Sequence, residues 1–215
     1  MSAGRVLAAG GAAALVFNVL FPRAADPWDP VAVLTMMAES PLRRQTAFVG
    51  VTVAVVLIAG SVMRLGRRSG TAFGDWGAGL VGAGALLFTV ASALGLAATG
   101  SARAWLASGS SPESAEFAIA AALNRADDFV WYLAIATLWT GLGLIGLALR
   151  RTDLVPAWAG PSLAVLGLVT GIAIGIPLAV GTEWLPLVIG FGALAGATSL
   201  WALAVGLSVA REEAG

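Results

Sequence analysis

Residues 124–149 read NRADDFVWYLAIATLWTGLGLIGLAL, an arginine and two adjacent aspartates followed by a run with no charged residue from 129 to 149. A helix of about 20 apolar residues is long enough to cross the hydrocarbon core of a bilayer. This run is therefore predicted to be a membrane span. The ionisable residues in front of it are predicted to lie where the span begins.

The composition of the whole chain places it in the same class. Of its 215 residues, 59% are hydrophobic and 11% are charged, with a mean hydropathy of +0.90. Soluble domains carry about 25% charged residues, so the chain is predicted to be an integral membrane protein. We expect a single all-α membrane domain, residues 1–215, built as a bundle of six spans. The predicted spans lie at about 6–22, 45–63, 74–100, 128–149, 157–178 and 184–209.

The charges between these spans predict an orientation. All twelve basic residues are arginines, and the segments on the side of the two termini carry seven of them against four acids, whereas the other side carries five against eight. Basic loops stay in the cytoplasm, so both termini are predicted to be cytoplasmic and the two long loops to face out. The use of Arg in place of Lys, with abundant Ala and Gly, suggests the plasma (inner) membrane of a prokaryote. A net charge of zero gives no sign of a nucleic-acid partner.

Missing residue types exclude several chemistries. The sequence has no His and no Cys, the residues on which membrane haem and most zinc or copper sites depend. It also has no Lys on which a Schiff base could form. No metal and no cofactor is therefore predicted.

Small residues repeat at helical spacing in the last two spans. Ala164, Gly167, Gly171 and Gly175 follow one another at intervals of three and four in the fifth span, and Gly192 and Gly196 do so in the sixth. Smooth stripes of this kind let helix backbones approach closely in lipid. These six residues are predicted to be helix-packing positions.

The polar residues before the fourth span form a candidate site with two main interpretations. On a helix, Arg125 would face Asp128, and Asn124 would face both aspartates. The group could be solvated charges that mark the membrane edge, or it could line the outer mouth of a ligand pocket; an interface to another protein is a third possibility. The candidate ligand-binding residues are Asn124, Arg125, Asp127, Asp128, Trp131 and Tyr132.

Both long loops are predicted to fold into partial helices over the outer face. VAVLTMMA in the first and SAEFAIAAAL in the second are apolar enough to lie at the membrane surface and could close a lid. In the second loop, Ser110 or Ser111 is predicted to cap a helix over about 112–124, with Pro112 in its first turn. This helix could lie at the membrane surface or lead straight into the fourth span.

Two segments carry a resemblance to a known family. DPWDPVAVLTMMAESPLRRQTAFVGVTVAVVLIAGSV, residues 26–62, resembles the first outer loop and second span of an uncharacterised bacterial family of six-helix membrane proteins, known only as a domain of unknown function. GLALRRTDLVPAWAGPSLAVLGLVTGIA, residues 146–173, is similar to the family's basic turn and its glycine-rich fifth span. The resemblance implies six helices and residence in the inner membrane. It implies no activity, cofactor or site residue.

Three functions remain open at this point. The first is a non-enzymatic membrane protein, a scaffold or accessory subunit that associates through its glycine faces with itself or with a larger membrane complex. The second is a carrier or binding protein for an apolar or amphipathic small molecule held in a cavity among the helices. The third is a membrane enzyme without a metal, although no nucleophile stands beside a plausible base in the sequence.

Overall fold

The fold is all-α, as the sequence predicts. The computed structural model describes residues 2–22, 24, 26–181 and 185–212. Its helices are α1 (Ala3–Leu20), α2 (Pro30–Glu39), α3 (Pro41–Arg68), α4 (Ala72–Ala107), α5 (Ala115–Leu149), α6 (Ala159–Leu168), a π-helical segment (Val169–Gly175), α7 (Ile176–Ala179) and α8 (Leu185–Glu212).

Six stretches of helix within the described residues are long and apolar enough to span a membrane, which confirms the predicted number. Five of them are α1, α3, α4, α5 and most of α8. The sixth runs through α6, the π-helical segment and α7 as one stretch, Ala159–Ala179. Successive spans run in opposite directions, so α1 begins and α8 ends at the same end of the bundle. We call this the terminal end, and the opposite end the capped end.

The long loop predicted between the third and fourth spans is mostly helix. At 36 and 35 residues, α4 and α5 are each about 50 Å long at 1.5 Å per residue, against a hydrocarbon core of about 30 Å. They form a hairpin that extends past the spans at the capped end. The segment outside regular helix is reduced to residues 108–114.

The second helix of this hairpin begins later than predicted. Its N-cap is Ser114, whose hydroxyl accepts a hydrogen bond from the backbone N–H of Phe117 at 3.1 Å. Ser111 instead lies in the preceding turn, where its carbonyl accepts a hydrogen bond from Nε1 of Trp105 at 3.0 Å. Pro112 therefore precedes the helix, and α5 runs without interruption from this cap to the terminal end.

Helix α2 packs against the extended hairpin. Asp29 caps it by accepting a hydrogen bond from the N–H of Val31 at 2.9 Å, and Pro30 occupies its first turn. Leu34 and Met37 are buried in a cluster with Trp105. The prediction of a helix in the first loop is thus confirmed, and this helix covers the capped end.

Two buried tryptophans link the spans in the interior. Nε1 of Trp139 donates to Oγ1 of Thr198 at 3.2 Å, which joins α5 to α8. Nε1 of Trp201 donates to the carbonyl of Ala159 at 2.9 Å, which joins α8 to α6. Each indole N–H is therefore satisfied away from water, as a buried donor requires.

The glycine stripe of the fifth span faces α5. A methyl group added to Gly167 would overlap the backbone of Gly143, and one added to Gly175 would lie 2.7 Å from the Cα of Ala136. Gly171 lies against Thr140, and Ala164 against Gly146. Close approach of the two backbones therefore requires small residues at these positions.

The packing expected at Gly192 and Gly196 is not found within the described residues. Apart from the backbone of α8 itself, a methyl group at either position would meet no described atom within 4 Å. Helix α8 packs on α1 through another face, where Gly206 lies against the backbone of Ala8 and Gly4 lies against that of Ala210. Gly192 and Gly196 therefore lie on a side of α8 that has no close neighbour among the described elements.

Candidate ligand-binding cleft

The six candidate residues all lie in α5, and the helix divides them between two places. Asn124, Asp128 and Tyr132 are spaced by four residues and line a cleft at the capped end, together with Arg125. Asp127 is buried, and Trp131 packs into the aromatic interior of the bundle. The sequence predicted a single cluster. The structure instead has two groups on α5, one that lines the cleft and one that is buried in the bundle.

The cleft lies between α2, α5 and the end of α7 and has a volume of about 360 Å³. Its apolar wall includes Trp28, Val33, Leu34, Phe129 and Leu178. Ligand pockets in proteins typically have volumes of about 300 to 1,000 Å³, mostly apolar with a few polar groups. This cleft therefore has the volume of a small-molecule site, with a larger polar part than most.

The polar part of the cleft is centred on Asp128. Its Oδ2 accepts a hydrogen bond from Nδ2 of Asn124 at 3.0 Å. The pairing of Asp128 with Arg125 expected from their spacing is not among the ion pairs of the described residues. Arg125 is exposed, because its long side chain can keep its charge in water at the edge of the cleft.

Asp127 has a different partner, Arg44 of α3. Its Oδ2 lies 3.7 Å from Nη2 of Arg44, and both side chains are 6% exposed. Nε of Arg44 donates to Oγ1 of Thr99 at 3.1 Å, which adds α4 to the group. Among the described residues, Oδ1 of Asp127 has no hydrogen-bond partner.

Aromatic rings surround this buried pair. The guanidinium carbon of Arg44 lies 4.7 Å from the ring centroid of Phe48 and 5.6 Å from that of Phe21. Trp131 packs on Phe88, with ring centroids 4.3 Å apart. Ring faces attract a cation, and this attraction strengthens when the cation is desolvated. The rings therefore help to hold a charge that burial would otherwise disfavour.

Sequence reasoning did not single out Arg44. The second span was predicted to begin at residue 45, whereas α3 begins at Pro41 and includes Arg44 in its first turn. One signal was available: an arginine pair, residues 43–44, and an aspartate pair, residues 127–128, were both predicted at the outer ends of spans. Opposite charges at the same membrane depth are candidates for pairing.

A second cavity lies deeper in the bundle and is much smaller. Its volume is about 40 Å³, and its lining includes Asn18, Trp139 and Ser199. This is far below the size of a typical ligand pocket. The sequence allowed for a ligand cavity among the helices. The larger of the two spaces is the cleft at the capped end, not the cavity in the middle of the bundle.

These features define a class: a multi-pass α-helical membrane protein with a half-apolar, half-polar cleft at one end. No protein-family model, curated protein or solved structure matches the chain.

Proposed function

We propose that this protein binds an amphipathic small molecule in the cleft at its capped end. The observation that supports the proposal is a space of about 360 Å³ with apolar side chains on one part of its wall and Asn124, Arg125 and Asp128 on another. A purely apolar ligand would leave these polar groups facing it without partners, and that is costly. A molecule with an apolar chain and a polar head matches both parts.

The proposal includes an orientation and a cellular location. The excess of arginine at the terminal end favours cytoplasmic termini, which would open the cleft to the outer face of a prokaryotic plasma membrane. The proposal keeps the resemblance of residues 26–62 and 146–173 to a six-helix family, which has the same number of spans as this chain. A carrier would also have to release the ligand on the other side of the membrane. The proposal is therefore limited to binding.

A matched pair of variants tests the proposal. Ala121 lines the cleft, whereas the next residue of α5, Ala122, is exposed and does not line it. Ala121→Phe should fill the cleft, and Ala122→Phe should add the same ring outside it. After purification in mild detergent, native mass spectrometry should find a small amphiphile on the wild type and on Ala122→Phe, with its occupancy reduced at least about tenfold on Ala121→Phe.

Equal occupancy on all three proteins would overturn the assignment of the cleft. If the wild type carries no amphiphile, even after one is added, the proposal that this protein binds an amphipathic molecule is wrong. Thermal unfolding of both phenylalanine variants provides the control for correct folding.

A second candidate is a scaffold or accessory subunit that associates through α8. The observation that favours it is the open face at Gly192 and Gly196, where nothing described in this chain approaches within 4 Å. Such a face allows close contact with a helix of another copy or of a partner subunit. A monomer at every concentration in native mass spectrometry, with no co-purifying chain, would argue against this candidate.

A further inference from the structure

Carboxylates lie in and around the cleft among the described residues. Asp128 lies in its polar part, and Asp127 lies behind it on the same helix. Asp26 and Asp29 flank Trp28 in the segment that forms one wall, and both are exposed. Of the described arginines, Arg125 lines the cleft, whereas Arg44 lies behind it and pairs with Asp127. Asp26 and Asp29 accept hydrogen bonds from the backbone N–H groups of Trp28 and Val31, so among the described residues Asp128 is the carboxylate that lines the cleft itself.

Asp128 forms no ion pair among the described residues. Its hydrogen-bond donor is the neutral amide of Asn124, at 3.0 Å. Arg44 attracts it electrostatically, but the same guanidinium pairs with Asp127. Asp128 is half-buried, so water compensates its charge only in part. A cationic group entering the cleft would supply the missing charge.

The aromatic residues of the cleft favour the same kind of ligand. Trp28, Phe129 and Tyr132 line it beside Asp128. Aromatic rings attract ammonium groups through their negative faces, and rings combined with a carboxylate form a common site for substituted ammonium ions. Val33, Leu34 and Leu178 leave an apolar path for a chain attached to that head group.

We propose that the head group of the ligand is an ammonium ion, bound by Asp128 and the aromatic rings of the cleft, with its apolar chain along α2 and α7. This inference depends on the proposed function, because it names the chemistry of the molecule in that same cleft. Two sources share this chemistry. One is a membrane phospholipid with a phosphoethanolamine or phosphocholine head, whose phosphate would reach Arg125 at the exposed edge, and the other is a free amphipathic amine.

Three probes with the same dodecyl chain separate head-group preference from apolar binding. Dodecyltrimethylammonium, dodecylphosphocholine and dodecanoate are offered separately, at equal concentrations, to the full chain in dodecyl maltoside. Bound fractions are read by native mass spectrometry. We expect each ammonium probe to bind at least about tenfold more tightly than dodecanoate, since the attraction of the cation to Asp128 and to the faces of the aromatic rings contributes about that factor.

Variants then assign the preference to Asp128. Asp128→Asn should abolish it, and Asp128→Glu should retain it in part. Asp75→Asn removes an exposed carboxylate at the opposite end of the bundle and should leave the preference unchanged. A wild type that binds dodecanoate as tightly as the ammonium probes, or a preference that survives Asp128→Asn, would overturn the inference.

Further comparisons with these probes show whether the ligand is a phospholipid or a free amine. They also separate the ammonium proposal from the proposed function. Tighter binding of dodecylphosphocholine, lost in Arg125→Gln, points to a phospholipid; equal binding of both ammonium probes, unaffected by Arg125→Gln, points to a free amine. If Ala121→Phe blocks all three probes equally and the wild type shows no head-group preference, the cleft binds amphiphiles and the ammonium assignment fails. If Ala121→Phe blocks none, the proposed function fails as well.

Discussion

Arg44 and Asp127 hold opposite charges at a place in the bundle where water is almost excluded. Burial of either charge alone costs several kcal/mol, and the partner, the hydroxyl of Thr99 and the ring of Phe48 offset that cost. Their value to stability therefore depends on both being present. A pair like this fixes how α3, α4 and α5 meet at the capped end.

A double-mutant cycle checks this dependence. Arg44→Met or Asp127→Leu alone should lower the free energy of unfolding by about 3–5 kcal/mol, because each leaves one buried charge unpaired. The double variant should regain most of the loss, since two apolar side chains need no partners. Denaturant unfolding in detergent measures all three. Arg43→Met, a change at the exposed neighbour, is the control and should cost far less than Arg44→Met. Additive losses in the double variant would contradict the coupling.

The sequence predicted where in the chain the candidate site lies. It did not predict which residues of other helices its side chains contact. The adjacent aspartates before an apolar run mark residues 124–132 as unusual, and four of the six candidate residues line the cleft. Their partners come from other helices. Arg44 precedes Asp127 by more than eighty positions, and no local spacing rule connects them.

At the scale of elements, α5 is the central helix of the molecule. Its length lets it contribute to the hairpin, the cleft, the buried ion pair and the glycine contact with α6 in turn. Its contact with α6 depends on the absence of side chains at Gly143 and Gly167. In α8, by contrast, a methyl group at Gly192 or Gly196 would meet no atom of another described element within 4 Å. The same residue type therefore has two different roles.

Alanine substitution separates these roles. Gly167→Ala should lower the free energy of unfolding by about 1–3 kcal/mol, because its methyl group overlaps backbone that cannot move aside. Gly196→Ala is the matched control and should leave the stability of the monomer unchanged or slightly higher. Thermal unfolding in detergent at low protein concentration compares the two. A loss for Gly196→Ala that grows with protein concentration would instead indicate a contact between copies.

The elements themselves were predictable to different degrees. Apolar runs of sufficient length predicted all six spans, since span length is set by bilayer thickness. The helical extension of α4 beyond residue 100 was not predicted, because SARAWLASGSSPES is polar and contains Gly and Pro, whereas most of the extension of α5 lies in the helix predicted over about 112–124. Packing of α2 on the hairpin, with Leu34 and Met37 buried, stabilises helix in that polar region.

At the scale of the whole molecule, the two ends of the bundle differ in charge and in shape. The terminal end has short connections rich in arginine, and the capped end has α2, the hairpin and the cleft. If the arginines set the orientation, every feature of the candidate site belongs to the outer face.

Cysteine labelling tests the orientation without background, since the chain has no cysteine. Glu113→Cys places a thiol at the exposed tip of the hairpin, and Arg68→Cys places one at the exposed terminal end. In intact cells, a membrane-impermeant maleimide should label the first at least about tenfold faster than the second. After permeabilisation both should react. The reverse order would invert the molecule and place the cleft in the cytoplasm, and equal labelling of both in intact cells would refute the six-span arrangement.

The sequence by itself determined that this chain is an all-α bundle of six spans, because hydrophobicity and bilayer thickness act on each segment separately. The tertiary structure decided which side chains meet: Arg44 with Asp127, Gly167 with Gly143, and α2 with the end of α5 to enclose the cleft. These contacts join residues that are distant in the chain. They depend on which face each helix turns toward its neighbours once the bundle has packed. That orientation is set by all the helices together and not by the sequence of any one segment.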